Sequence, residues 1–435
     1  MASPQISDKI RLRNMKIGLI SLHSFSKPGG VKSHILGLSN ELKKLGHRTK
    51  IIVPRQSFKE NYGRGVILLG TSFPVPFGGG KSDFTLHFNQ TVIEEVLEKE
   101  KFDVLHFHNF GFPSSFQILE KSGCLNILTF HSDVERSKLL MEFPILLEIL
   151  RMVIEWKING VIGVSKVALK ILNKCRVPIT VIPNGIDLEQ FNPKIPKIKK
   201  FSNKKIKAFD KLSLNPERGR RINILFVGRI EERKGLIYLL KAYQILTRKF
   251  QNLRLIIIGE GELKGKCQNF VEKYNLKDVY FEGEKTGQKL VSYFNTADIF
   301  CAPSIYGESF GIVLLEAMAC KLPVVAFANE GYKSTLEGKK GARFLAKPKN
   351  YRDLAKKIEI LIENENLRKE MGKWGKSEAK KYSWDRICNK VLNFYQFCQK
   401  EKAKKEKESF SPEKLFEKLD KENIKDLDDI LKWLK

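Results

Sequence analysis

Residues 222–235 read Ile222-Asn223-Ile224-Leu225-Phe226-Val227-Gly228-Arg229-Ile230-Glu231-Glu232-Arg233-Lys234-Gly235. Asn223 to Val227 is short and apolar and runs into a glycine turn, the pattern of a buried parallel strand leaving its sheet. Downstream, Arg254 to Ile258, Val279 to Glu282, Ile299 to Ala302 and Pro323 to Ala326 are predicted as strands of the same kind, alternating with helices. Upstream stands an earlier copy of the pattern. Its strands are expected at Lys16 to Ser21, Arg48 to Pro54, Gly65 to Leu69, Val104 to His108, Asn126 to Phe130, Val161 to Val164 and Thr180 to Ile182. Helices are expected between most of them, including Ser33 to Leu45, Thr91 to Glu100 and Val167 to Asn173. Alternation of this kind gives an α/β chain with parallel, doubly wound sheets, and the restart at Ile222 gives two of them.

The chain has 435 residues, too many for one typical core, so two domains plus small additions are expected. Between the two patterns lies a basic stretch, residues 194–221. It holds eleven Lys or Arg against Asp210 and Glu217, and reads as a linker or insertion. Tyr382-Ser383-Trp384-Asp385 opens a helix running to about Phe397. A charged tail, residues 399–435, follows. Ser411-Pro412-Glu413 starts a short helix there with Leu415, Phe416 and Leu419 on one face, and a second apolar face follows at Ile424, Leu427, Ile430, Leu431 and Leu434. These are expected to pack on the body or on a protein partner of unknown identity.

Hydrophobic residues make up 42% of the chain and charged residues 29%, as in a soluble globular protein. The richest apolar segment, Leu139 to Trp156, is broken by Glu142, Pro144, Glu148, Arg151 and Glu155, short of the ~20 uncharged residues of a membrane span. No secretory leader is recognised before Met15, and the seven scattered cysteines are expected to be reduced thiols of a cytoplasmic protein. The net charge of +29 fits two readings: attraction to an anionic partner, whether membrane surface, nucleic acid or phosphorylated substrate, or a proteome-wide abundance of lysine with no partner behind it. No recognition helix or aromatic-basic RNA motif is present, so nucleic acid is not expected.

Glycines stand at the first turn of each pattern. Gly29-Gly30 lets a ligand approach backbone at a helix start, a weak signal alone. Arg229 and Lys234 place two cations beside the equivalent turn of the second pattern, a good setting for a diphosphate. Three other motifs fail on inspection. Gly259-Glu260-Gly261 imitates a dinucleotide fingerprint, with Glu282 as the ribose acid, but its third glycine is misplaced at Gly265, so it is read as a tight turn facing the cleft. Gly80-Lys81-Ser82 resembles the end of a P-loop, but Val75 replaces the opening glycine, and Pro74 and Pro76 spoil the preceding strand. His106 and His108 alternate as a metal pair could, but no third ligand stands at suggestive spacing, so they are read as structural or substrate-contacting.

The most specific segment is Gly307-Glu308-Ser309-Phe310-Gly311-Ile312-Val313-Leu314-Leu315-Glu316-Ala317-Met318-Ala319. Glu308 is expected in a loop and Glu316 about two turns inside a helix starting at Gly311. A carboxylate among apolar neighbours needs a partner, which ribose hydroxyls would supply. Amides of Phe310, Gly311 and Ile312 would cradle phosphate at the helix start.

With these two glutamates the chain resembles glycosyltransferase family 4, of GT-B fold. Gly29-Gly30-Val31, Thr129-Phe130-His131, Val164-Ser165-Lys166, Pro183-Asn184-Gly185-Ile186-Asp187 and Val227-Gly228-Arg229 fall in the family's order, from about Met15 to Phe397. Within the family it is most similar to phosphatidylinositol mannosyltransferases, through Ser24-Phe25 before Pro28-Gly29-Gly30-Val31, Asp103-Val104-Leu105-His106, and Gly307 to Glu316.

The resemblance implies two Rossmann-like domains facing across a cleft. Residues 15–193 would form the acceptor domain, completed by a helix at about 383–398, and residues 222–382 the nucleotide-sugar donor domain. It implies a retaining, metal-independent hexosyltransferase with no cofactor beyond the nucleotide sugar. Arg229 and Lys234 would bind the donor diphosphate, Glu308 the transferred sugar and Glu316 the ribose. Gly30 would approach the diphosphate from the first domain, His131 would lie at the reacting centre, and Arg136 would meet an acceptor phosphate. GDP-mannose and an inositol phospholipid, at the inner face of the cytoplasmic membrane, are the donor and acceptor it suggests. A UDP-sugar with a soluble or polysaccharide acceptor is the alternative, and a non-catalytic sugar-nucleotide or nucleic-acid binder the remote one.

Overall fold

A computed structural model of the protein describes residues 14–21, 23–26, 29–57, 59–77, 80–86, 89–110, 113–131, 145–172, 174–201 and 221–405. The expected Arg136, the middle of the basic stretch and the two tail helices lie outside these residues.

The first sheet has eight strands: β1 (Lys16–Ser21), β2 (Arg48–Arg55), β3 (Val66–Phe77), β4 (Gly80–Leu86), β5 (Val104–His108), β6 (Leu125–Phe130), β7 (Gly160–Gly163) and β8 (Ile179–Val181). Their order is β4-β3-β2-β1-β5-β6-β7-β8. The second has six: β9 (Ile222–Val227), β10 (Leu253–Ile258), β11 (Val279–Phe281), β12 (Ile299–Ala302), β13 (Val324–Phe327) and β14 (Leu345–Ala346), in the order β11-β10-β9-β12-β13-β14. All pairings are parallel except that of β3 with β4. The fold is GT-B, two parallel-sheet α/β domains. The strand order reverses between β1 and β5 and between β9 and β12. Such switch points leave a crevice at the carboxyl ends of the strands, where ligands of open α/β sheets bind.

Two strands were not expected. β3 runs eight residues past Leu69, through Pro74 and Pro76, and β4 returns antiparallel beside it. Prolines cannot donate to a ladder. The register shows how they fit: Val66 to Thr71 pairs with β2, whereas Ser72 to Phe77 pairs only with β4. The prolines therefore stand where one side of the strand is free of β2. Gly80-Lys81-Ser82 belongs to that hairpin, in keeping with its rejection as a phosphate loop. β14 has two residues and too short a pattern to read.

Helices cover the sheets by ordinary amphipathic logic. In the helix Tyr351–Glu363, Leu354, Ala355, Ile358, Leu361 and Ile362 fall on one face and are buried, and the Asn350 side chain caps the start by accepting from Asp353 N–H. The helix Trp384–Lys405 leaves the second domain and closes the first core with Ile387, Val391, Leu392 and Tyr395. The crossing is tight. Ile186 N–H donates to Tyr382 C=O at 2.8 Å, and a Cβ added at Gly37 or Gly185 would lie 2.2 or 2.4 Å from the Trp384 ring.

The start of the basic stretch is not free chain. Phe201 is buried in the second core, its carbonyl accepts from Asn223 Nδ2 and an Arg254 guanidinium nitrogen, and Ile198 N–H donates to Thr296 Oγ1 at 2.8 Å. Residues 194–201 thus belong to the second domain's packing. Among the described residues no helix is long and apolar enough to cross a membrane. All seven cysteines are free thiols, five of them buried.

Candidate active site

The second switch point carries the charged part of the site. After β9 the chain turns through Gly228 and makes one 3-10 turn, Glu232–Lys234. Gly235 then takes φ 67°, and a Cβ there would sit 2.0 Å from the Pro303 carbonyl oxygen, so only glycine fits. This close approach sets Lys234 against the loop that follows β12. Lys234 Nζ lies 2.5 Å from Glu308 Oε1, and Arg233 reaches the same oxygen at 3.3 Å. Arg233 Nε also pairs with Glu231 at 2.5 Å. Burial alone would raise the Glu308 carboxyl, but Lys234 and Arg233 outweigh it and hold it below the usual carboxylate range. Glu308 is therefore a fixed anion at neutral pH.

Arg229 stands apart from this knot. Its side chain is 58% exposed and meets Glu231 at 3.4 Å. Glu231, Glu232 and Glu308 match Arg229, Arg233 and Lys234 in number, and Arg229 is the most exposed of the three cations. Arg233, within the turn motif but given no role by sequence, touches Glu308, whereas Arg229 does not reach it. The signal was present, since Arg233 and Lys234 are adjacent; what spacing hides is that a single 3-10 turn points both at one carboxylate.

Gly311, with φ 90°, is the N-cap of the helix Ile312–Ala319 and offers no side-chain cap. The helix thus starts one residue later than expected, because the left-handed glycine belongs to the turn. Glu316 is its fifth residue, a little over one turn inside rather than two. Its carboxylate accepts no hydrogen bond from the described residues, and burial pushes it up to about 7, against the pull of Lys234. Phe310 is buried and its carbonyl is taken by Thr335 Oγ1 at 2.7 Å. Gly259 and Gly261 do form a tight turn: Cβ atoms there would meet the Gly228 and Ile230 carbonyl oxygens at 1.9 and 2.4 Å. Glu282 is engaged by Lys200 and Tyr293 at 2.6 and 2.7 Å.

The first switch point is built of backbone and histidine. Gly29 caps the helix Gly30–Lys44, again without a side-chain bond, and a Cβ at Gly30 would meet nothing within 4 Å. Four buried histidines gather behind this turn: His34, His106, His108 and His131. His34 Nδ1 lies 2.8 Å from Asn184 Oδ1, and His108 Nδ1 lies 3.1 Å from His131 Nε2. Burial lowers His34 to about 4 and His106 to about 3, and holds His108 and His131 well below the usual range. Ring nitrogens of His34, His108 and His131 lie within 4.8 Å of one another, a third histidine that spacing did not suggest. Bonds of 2.0–2.1 Å to a tetrahedral ion would need edges of about 3.3 Å. The rings are packed as a hydrogen-bonded group.

The two halves are joined at the loop that carries Glu308. Ser165, which caps the helix Lys166–Leu169, donates from Oγ to the Ser309 carbonyl, and Ser309 Oγ donates to the His131 carbonyl. Glu308 and His131, expected at one centre, are thus one residue and one hydrogen bond apart. No sequence signal marked Ser309 or Ser165 for this bridge.

Two facing parallel-sheet domains, with Glu308 in the loop between them and Glu316 in the helix that follows, define a family 4 glycosyltransferase, and the chain belongs to that family. The model described as Glycosyltransferase Family 4 matches residues 28–190, and that described as Glycosyl transferases group 1 matches residues 210–378. The phosphatidyl-myo-inositol mannosyltransferase of Mycobacterium leprae is 30% identical over 394 residues, covering 88% of this chain and 96% of the relative. Among solved structures, the sucrose-phosphate synthase of Thermosynechococcus elongatus superposes with a TM-score of 0.68 at 20% identity, covering 88% of this chain and 98% of that one. Anabaena HepE in complex with UDP and glucose superposes with a TM-score of 0.66 at 18% identity, covering 88% and 100%.

Proposed function

We propose that the protein transfers mannose from GDP-mannose to a hydroxyl of an inositol phospholipid or similar anionic lipid, retaining the anomeric configuration and using no metal. The observation that carries the transfer chemistry is the Lys234–Glu308–Arg233 cluster beside an uncapped helix start, bridged through Ser309 to His131. Lys234 and Arg229, with amides of Phe310, Gly311 and Ile312, take the charge of the departing diphosphate, the part a metal ion plays elsewhere. Gly30 lets the opposite backbone close on the same group. Glu308 faces the sugar as it gains oxocarbenium character, and the acceptor hydroxyl attacks from the face the diphosphate leaves, a donor phosphate oxygen taking its proton. Closure through Ser309 and Ser165 excludes water that would hydrolyse the donor.

The choice of lipid is supported by the mycobacterial relative's activity and by the charge of +29. Basic residues near an anionic surface contribute roughly 1 kcal/mol each, enough in numbers to hold the enzyme at the inner face of the membrane without a spanning helix. Arg136 is assigned to the acceptor phosphate. The UDP bound by Anabaena HepE favours a second reading, a UDP-sugar donor with a soluble or polysaccharide acceptor.

Release of nucleoside diphosphate, measured over a panel of sugar nucleotides with and without phosphatidylinositol vesicles, tests both. GDP release should require GDP-mannose and the lipid, and persist in excess EDTA. Turnover of a UDP-sugar onto a soluble acceptor, with none on lipid, would replace the proposal with the second reading; EDTA loss restored by Mg2+ would overturn the metal-free mechanism.

Glu316 gives a pH test of the ribose contact. Ribose hydroxyls bond best to the ionised carboxylate, whose proton leaves near pH 7 in the free protein. Affinity for nucleoside diphosphate should therefore rise from pH 6 to pH 8, and Glu316→Gln should bind more weakly with that slope abolished. Calorimetry at the two pH values decides; an unchanged slope in the variant would assign the ribose elsewhere.

A further inference from the structure

Resting on the reading that His131 faces the transferred sugar, the arrangement behind it assigns a role to His108. Both rings are buried and neutral, so each carries one N–H and one lone pair. His108 Nδ1 lies 3.1 Å from His131 Nε2, while His108 Nε2 is buried with no hydrogen-bond partner among the described residues. The shared proton can sit on either ring. If it sat on His131 Nε2, His108 would have to carry its own on Nε2, as a buried N–H with no acceptor. Orphaned buried N–H groups are rarer than unused acceptors. The proton therefore belongs to His108 Nδ1, which donates to His131 Nε2. His131, being neutral, then carries its proton on Nδ1, where no described residue receives it.

The neighbours lock this arrangement. His106 stacks on His108 at 4.3 Å and is itself pinned at both nitrogens, by Tyr395 OH and Thr129 Oγ1, each at 2.6 Å. His34 meets the His131 ring edge-on at 4.6 Å and is held by Asn184. The His131 backbone is tied by Asn109 Oδ1 at 2.7 Å and by Ser309 from the opposite domain. We propose that His108 is a positioning residue for glycosyl transfer: through its Nδ1–H it fixes His131 in the tautomer that presents an N–H donor to the donor's sugar-phosphate oxygens. His131 then acts as a hydrogen-bond donor and not as a base.

Asparagine places its amide nitrogen near the site of Nδ1, and glutamine near that of Nε2. His108→Asn should keep most of wild-type kcat. His108→Gln and His108→Leu should lose roughly tenfold or more, with calorimetric affinity for nucleoside diphosphate unchanged. The pH profile separates positioning from packing. His131 faces His34, His106 and His23 as titratable neighbours, besides His108. Without the donated N–H, its Nε2 lone pair is free to bind a proton and its folded pKa rises. The protonated ring carries an N–H on both nitrogens, so as pH falls through that pKa the deficit of the Gln and Leu variants against wild type should shrink, whereas a packing defect would be the same at every pH. An Asn variant no better than Leu would overturn the proposal. So would unchanged kcat in Leu. Imidazole 15N NMR of the wild-type protein tests the tautomer even if a variant misfolds or no acceptor is found: His131 must show its proton on Nδ1, and a proton on Nε2 refutes it.

Discussion

Lys234→Ala is expected to cut turnover by roughly 100-fold or more while leaving the fold intact. Lys234 is the shortest contact of Glu308, at 2.5 Å, and sits at the turn that opens the helix Leu236–Thr247. Two losses coincide in the variant. The departing diphosphate loses a preorganised cation, an interaction whose removal typically costs about 2.7–4 kcal/mol in the transition state. Glu308 loses its nearer counter-charge, and Arg233, at 3.3 Å and already shared with Glu231, is left to hold it. Part of its carboxylate would then repel the anionic donor. Nucleoside diphosphate release gives the rate, and thermal unfolding shows whether the fold persists. Turnover near wild type in a folded variant would remove Lys234 from the mechanism.

Glu308→Gln is expected to lose most activity yet bind nucleoside diphosphate as tightly as the wild type, or more tightly. The amide keeps an oxygen for Lys234 and Arg233 but surrenders the charge that both cations lower into its ionised form. A positive sugar centre is no longer stabilised, while the two cations become more available to phosphate. Calorimetry with the diphosphate, set beside Glu316→Gln, distinguishes the glutamates. If Glu308→Gln weakens binding and Glu316→Gln abolishes turnover alone, their roles are exchanged.

Local pattern revealed much of this molecule. Short apolar runs located twelve of the strands near their places, because a buried strand announces itself by composition. The β3–β4 hairpin escaped because Pro74 and Pro76 argue against a strand, and only the register shows that they avoid β2. At the site, Lys234 and Glu308 were readable from motif and loop position. The histidine group was not: His106 meets Tyr395 across 289 residues, and His34 reaches Asn184 across 150. Such contacts are made by topology, and spacing along the chain carries no trace of them. Arg233 was visible but indistinguishable from Arg229 until one 3-10 turn gave them different directions.

The return of the helix Trp384–Lys405 to the first sheet has a consequence for how the molecule is made. The ribosome completes β9 to β14 before it synthesises Ile387, Val391, Leu392 and Tyr395, the residues that close the first core. The second domain can therefore fold as a unit while the earlier-born one still lacks a wall. Until the helix arrives, the notches at Gly37 and Gly160, shaped to admit Trp384 and Cys398, stand open to water. His106 meanwhile waits for Tyr395. The half made first is thus finished last, and the histidine group at its heart is completed only after nearly four hundred residues have emerged.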